Sequence, residues 1–154
     1  GSISSGRAVL AARAAGADFG YCGSAFIACK EANASDAYKQ SIVESAADDI
    51  VYSSLFTGVH GNYLRPSIIA AGLDPDNLPD ADAKSMDFGS GGNTEKKAWA
   101  DIWGCGQGIG NVKAQLTVGE FVDKMAAEYE AALCATRAIG SEASSWPHAK
   151  LAKL

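Results

Sequence analysis

Three observations in the sequence predict an α/β fold, the C-terminal fragment of a (β/α)8 TIM barrel joined to a mostly helical, loop-rich appendage. Residues 1–28 read in the order loop, helix, strand, Gly-Ser, the order in which the last two βα units of such a barrel build a phosphate site. The rest of the chain reads mainly as helices and turn-rich loops. A complete barrel takes about 250 residues and eight strands, whereas this chain has 154 residues. It begins with glycine and enters a patterned segment at once, so it is expected to be cut from something longer.

The elements follow from local chemistry. Gly1 to Gly6 is turn-rich, Arg7 to Ala15 is rich in helix formers, and Gly16 suits the position that ends a helix. Phe19 to Cys22 fits a short buried strand, followed by Gly23-Ser24. Ala25 to Cys29 is read as helical, although a run this short fits either state. Ser35 or Asp36 caps a helix to about Ala46, with Ala37, Tyr38, Ile42, Val43 and Ala46 forming an apolar stripe.

Further on, Asp49 to Phe56 suits an extended segment, and Pro66 fits the first turn of a short helix to Ala71. Leu73 to Asn93 holds prolines, aspartates and the run Gly89 to Asn93, and is expected to be a long surface loop. Thr94 to Trp103 reads as a helix. Four glycines between Gly104 and Gly110 end it and suggest a backbone that something approaches closely. Thr117 with Glu120 forms a capping-box pattern, and Val118, Phe121, Val122, Met125, Tyr129 and Leu133 then share a helical face. The chain therefore divides into residues 1–47, the last barrel units with a phosphate cradle; 48–137, a loop-rich helical region; and 138–154, a flexible tail.

Composition removes several functional classes. The net charge is -5 and no Lys/Arg-rich run occurs, so neither nucleic acid nor an anionic membrane surface is an expected partner. Cys22, Cys29, Cys105 and Cys134 stand 7, 76 and 29 positions apart, which is no zinc-ligand spacing. Free thiols in a reducing cytoplasm are the expectation. Phe19 to Cys29 is uncharged for only 11 residues, against about 20 for a spanning helix, and neither a membrane span nor a signal peptide is expected. The dinucleotide GxGxxG, the P-loop, HExxH and GxSxG are absent.

The candidate chemistry lies in the Gly-Ser pairs. Gly1-Ser2 before one helix and Gly23-Ser24 after the following strand bring backbone N–H donors, with no Cβ at either glycine and a hydroxyl at either serine, and together could cradle one phosphate. His60 in its loop and His148 beside Pro147 lack a supporting carboxylate and read as surface groups. Asn33-Ala34-Ser35 reads as a turn and helix cap rather than a glycosylation site. Trp99 and Trp103, at helical i, i+4 spacing, read with Met125 as core packing.

On these residues the chain resembles the FMN-binding end of the nitronate monooxygenase family, also called 2-nitropropane dioxygenases. Gly1-Ser2-Ile3, the helix, Gly16-Ala17-Asp18 and Gly23-Ser24 match the family's Gly-Gly-Ile, helix, Gly-Ala-Asp and Gly-Thr. The likeness continues through Ala37-Tyr38-Lys39, Asn62 to Ser67 and Trp103 to Gly108. The resemblance implies an FMN cofactor with its phosphate held at Gly1, Ser2, Gly23 and Ser24 and with Cys22 among the cofactor-binding residues, and it puts Gly106 and Gln107 either at the cofactor side or in a structural loop. Ser2 for Gly and Ser24 for Thr leave the backbone donors intact.

The family's catalytic histidine lies on an earlier strand, so no catalytic residue is assigned here. The resemblance further implies a parent flavoenzyme that oxidises a small nitronate or nitroalkane, with this chain inactive alone. The alternatives are an NAD(P)H-dependent flavin oxidoreductase or enoyl-carrier-protein reductase of the same fold. From another class come a non-catalytic phosphate-ligand binder and a half-barrel that pairs with another chain.

Overall fold

The computed structural model describes residues 2–80 and 101–143. Its elements are α1 (Gly6–Ala14), a short α2 (Ser24–Ile27), α3 (Asp36–Glu44), β1 (Ile50–Ser53), β2 (Gly61–Leu64), α4 (Arg65–Ala70) and a long α5 (Val118–Ala143). Single 3-10 turns occur at Ala47–Asp49 and Gln107–Asn111.

The helix ends are set by local residues, among them Ser5, which the sequence reading did not name as a cap. Ser5 Oγ accepts from the Ala8 N–H at the start of α1, and Gly16 ends that helix at φ 94°. There the Gly16 and Ala17 amides donate back to the Arg13 and Ala12 carbonyls, each at 3.0 Å. Ser35 caps α3 by accepting from the Tyr38 N–H, and Pro66 lies in the first turn of α4. At α5 the Thr117 N–H donates to Glu120 Oε2 at 2.7 Å, and the Glu120 N–H donates to Thr117 Oγ1 at 3.2 Å, completing the expected capping box.

α5 runs to Ala143, past Gly140, where the sequence reading began a tail at 138. One glycine costs a helix about 1 kcal/mol, too little to stop one already propagating. Its buried stripe is narrower than expected: Phe121 and Ala132 are buried, Met125, Tyr129 and Leu133 half-buried, and Val118 and Val122 exposed. The helix covers its neighbours on one side only. No described helix is long and apolar enough to cross a membrane.

Two expectations about strands fail. Phe19 to Cys22 forms no strand, and Phe19 and Tyr21 are 89% and 86% exposed. A parallel strand needs a neighbour for its N–H and C=O groups, and no described segment pairs with this one. The sheet among the described residues is instead one antiparallel pair, with Ile50 opposite Leu64 and Ser53 opposite Gly61. Its second strand lies in a stretch for which the sequence predicts no element. β2 holds because it is flanked twice: on its other side the Leu64 N–H donates to the Trp103 carbonyl at 2.8 Å, and the Cys105 N–H to the Asn62 carbonyl at 3.2 Å.

Residues 73–80 are irregular, as expected of the loop beginning at Leu73, and Arg65 clamps Asp76 there through two bonds of 3.0 Å. The rest of that loop, Trp99 and most of the expected helix Thr94 to Trp103 lie outside the described residues; of positions 101–103 only Asp101 is helical. Trp103 stacks on Tyr38 with ring centroids 4.9 Å apart. The main core joins α2, α3, β2, the 3-10 turn and α5 through Ala25, Ile42, Leu64, Ile109 and Phe121.

Candidate anion site

Three separate stretches of sequence meet at one place. The first is the extended segment carrying Ser2 and Ser4, the second Gly23-Ser24 at the start of α2, and the third the Gly106 to Asn111 stretch with its 3-10 turn. Ser24 Oγ accepts the Gly106 N–H at 2.9 Å, which leaves the hydroxyl proton of Ser24 to donate elsewhere. The Ser4 hydroxyl donates to the Gly108 carbonyl at 2.7 Å and accepts from Asn111 Nδ2 at 3.0 Å.

The glycine run is where the backbone is approached closely, as its composition suggested. A Cβ at Gly108 would lie 3.2 Å from both C and O of Ser2 and 3.1 Å from Ser4 Oγ. What approaches is the chain's own Ser2 to Ser4 segment. Beside Gly23 there is space: a Cβ there would meet nothing nearer than Tyr21 Cε1 at 4.0 Å.

Of the sequence-assigned residues, Gly1 lies outside the described set. Ser2, Gly23 and Gln107 are exposed, and Ser24 and Gly106 are half-buried and bonded to each other. Cys22 differs in role. Its side chain packs against the main core. Burial, and then the neighbouring Cys29, push its thiol above the usual range. Burial pushes Cys105 up to about 12. Neither is a reactive thiolate at neutral pH.

Ser4, Gly108 and Asn111 were missed by the sequence reading. The glycine alternation at 104, 106, 108 and 110 was the available signal for Gly108, whereas nothing local marks Ser4. Two of the helix-terminus donors of α1 are taken, the Gly6 N–H by Glu128 Oε2 at 2.9 Å and the Ala8 N–H by Ser5 Oγ at 3.2 Å. His60 is exposed and stacks on Tyr52, with ring centroids 4.8 Å apart. A pocket of about 220 Å³ lies on the core side of α2, lined by Ala25, Cys29, Val112, Leu116 and Phe121 with Lys113 and Lys124. None of the sequence-assigned site residues lines it. The site thus offers neutral backbone and hydroxyl donors with no carboxylate among them, a set suited to holding an anion.

The family model for nitronate monooxygenase matches residues 1–128. The chain therefore belongs to the nitronate monooxygenase family. A nitroalkane oxidase from Streptomyces ansochromogenes is similar in structure, with 26% identity and a TM-score of 0.65, covering 88% of this chain and 39% of that one. A point mutant of FabK from Thermotoga maritima shares the fold at 22% identity and a TM-score of 0.66, covering 90% of this chain and 43% of that one. The chain thus spans about two fifths of the length of these proteins. The comparison with curated proteins gives no match.

Proposed function

We propose that the chain supplies the FMN-phosphate-binding part of a flavin-dependent oxidoreductase that oxidises nitronates or nitroalkanes. The observation that carries this reading is the convergence of Ser2, Gly23-Ser24 and Gly106-Gln107 in a chain of the nitronate monooxygenase family. The nitroalkane oxidase neighbour supports the substrate class.

The residues present fit a phosphate monoester. Gly23 has open space on the side where any other residue would carry a Cβ. The N–H groups opening α2 have no partner within that helix, and the Ser24 hydroxyl keeps its proton. Main-chain N–H groups of Ser2, Gly23 and Ser24, with the Ser24 hydroxyl, would hold the phosphate, and the family resemblance adds Gly1 and Gln107 to them. When bound, the flavin supplies the redox chemistry. This chain's part is to bind and orient: Ser24 joins the α2 turn to Gly106, so the loops present their donors together.

The second reading is an NAD(P)H-dependent flavin oxidoreductase or enoyl-carrier-protein reductase, a class that shares the cradle by resemblance. The likeness to FabK, at 22% identity, is one of fold alone and is compatible with either reading.

The test is an FMN titration followed by flavin fluorescence, with and without a separately expressed barrel half from a similar protein. Wild type is expected to bind, most tightly with the added half. Gly23→Asp, whose Cβ would meet nothing nearer than Tyr21 Cε1 at 4.0 Å at a φ of -116°, should lose FMN through like-charge repulsion while keeping its fold. Unchanged binding in that variant removes the assignment.

A further inference from the structure

We propose that Ser4 is the positioning residue of this anion site, fixing the Ser2 segment at a set distance from the Gly106-Gln107 loop. The inference rests on the reading above for its ligand, but its geometry stands alone. Ser4 is 3% exposed, and its oxygen uses both capacities on one 3-10 turn, donating to the Gly108 carbonyl and accepting from Asn111 Nδ2.

The bonds form a continuous path. Ser4 holds Gly108; two residues earlier, Gly106 donates to Ser24 Oγ; and Ser24 opens the α2 turn. Two serines distant in sequence thus lock three loops together through the glycine-rich stretch. The absence of a Cβ at Gly108 permits the approach, since Ser2 and Ser4 atoms lie 3.1 to 3.2 Å from where it would stand. On the other side of Ser4 the chain is fixed where the Gly6 N–H meets Glu128.

Removing the Ser4 hydroxyl leaves the Gly108 carbonyl and the Asn111 amide without that partner. The carbonyl of buried Gly108 recovers a hydrogen bond only by opening toward water, because a buried polar group left unpaired is costly, whereas the exposed Asn111 turns its amide to solvent. The loop then moves relative to Ser2, and donors that must converge on one anion lose their common geometry. Helix α5 and the β1-β2 pair take no part in the Ser4 and Ser24 bonds and keep their structure.

The experiment compares Ser4→Ala and Ser4→Thr with wild type, measuring FMN and riboflavin affinities by fluorescence and amide hydrogen exchange by NMR. Ser4→Ala is expected to weaken FMN about tenfold, the order of one or two lost hydrogen bonds, with riboflavin unchanged. It should also speed exchange at the Gly106 amide while α5 and β1-β2 amides keep their rates. Ser4→Thr, which keeps the hydroxyl, should restore both. Equal losses for FMN and riboflavin, or an unchanged Gly106 exchange rate, would overturn the inference. A wild type that binds no FMN sinks the flavin reading; the Gly106 exchange rate then decides the role of Ser4, acceleration supporting it and no change overturning it.

Discussion

Gly6 donates its backbone N–H to Glu128 Oε2, and at the same contact a Cβ on Gly6 would lie 2.0 Å from the Met125 carbonyl oxygen and 2.4 Å from the Tyr129 nitrogen. Helix α1 therefore crosses α5 with its first residue pressed against the partner's backbone, a spacing that only glycine permits. The contact closes with Arg13 donating to the Tyr129 hydroxyl at 3.0 Å.

Gly6→Ala is expected to force the helices apart and destabilise the fold by about 3 kcal/mol or more, the upper range for overpacking, because backbone atoms cannot give way as a side chain does. Urea denaturation with the midpoint compared at constant m-value measures this. A loss under about 1 kcal/mol would show that α5 can shift freely on α1.

Glu128→Ala removes the carboxylate that satisfies the first amide of α1 and should cost about 1 to 2 kcal/mol, as expected for a partly buried charge-assisted bond. Glu128→Gln keeps an acceptor and should cost less. Thermal unfolding of the two variants side by side distinguishes capping from packing, since packing alone predicts equal losses.

Thr117→Ala takes away the hydroxyl that accepts from the Glu120 amide at 3.2 Å, and a cap of this kind is worth about 0.5 to 2 kcal/mol. Glu120 is held below the usual carboxylate range, first by the Thr117 backbone N–H, then by the Thr117 hydroxyl and the charge of Lys30. A depressed pKa in the fold means that the unfolded chain binds more protons as pH falls. The cap's contribution is therefore present above the ordinary glutamate pKa and is lost as the carboxylate protonates. Circular dichroism of wild type and Thr117→Ala from neutral pH into the acid range should show their difference shrinking.

Alkaline pH acts in the opposite direction. Burial raises Cys105 from 9.0 to about 12, and burial together with Cys105 raises Tyr38 from 10.0 to about 12. In that window the unfolded chain releases protons that the folded chain retains. Stability is therefore complete below about pH 9 and falls as pH rises toward about 12. Denaturant midpoints across this range should decline for wild type and decline less steeply for Cys105→Ala; equal slopes would leave Cys105 without a part in it.

The exposed Phe19 and Tyr21 stand on an irregular segment that no described strand pairs, while Gly20 between them faces Val9 and Ile3. Such an edge is a template for a second chain. Sedimentation should show wild-type mass rising with concentration, and Phe19→Lys combined with Tyr21→Lys should hold the chain monomeric. A wild type that stays monomeric across the range removes the pairing reading.

The sequence by itself determined the local events and the family. Ser5, Gly16, Ser35, Pro66 and the Thr117-Glu120 box act within a turn or two of chain, so their chemistry is complete in the sequence. Collinear Gly-Ser-Ile, Gly-Ala-Asp and Gly-Ser segments were enough to point to the nitronate monooxygenase family. The tertiary structure alone decided that Ser4 reaches Gly108 across 104 positions and that Gly6 meets α5. It also decided that Gly61 to Leu64 is a strand while Phe19 to Cys22 is not. The physical reason is the same in each case: a strand needs hydrogen-bonding neighbours, and a polar side chain takes its role from the partner that folding brings to it. Neither is encoded in the residue's own neighbourhood.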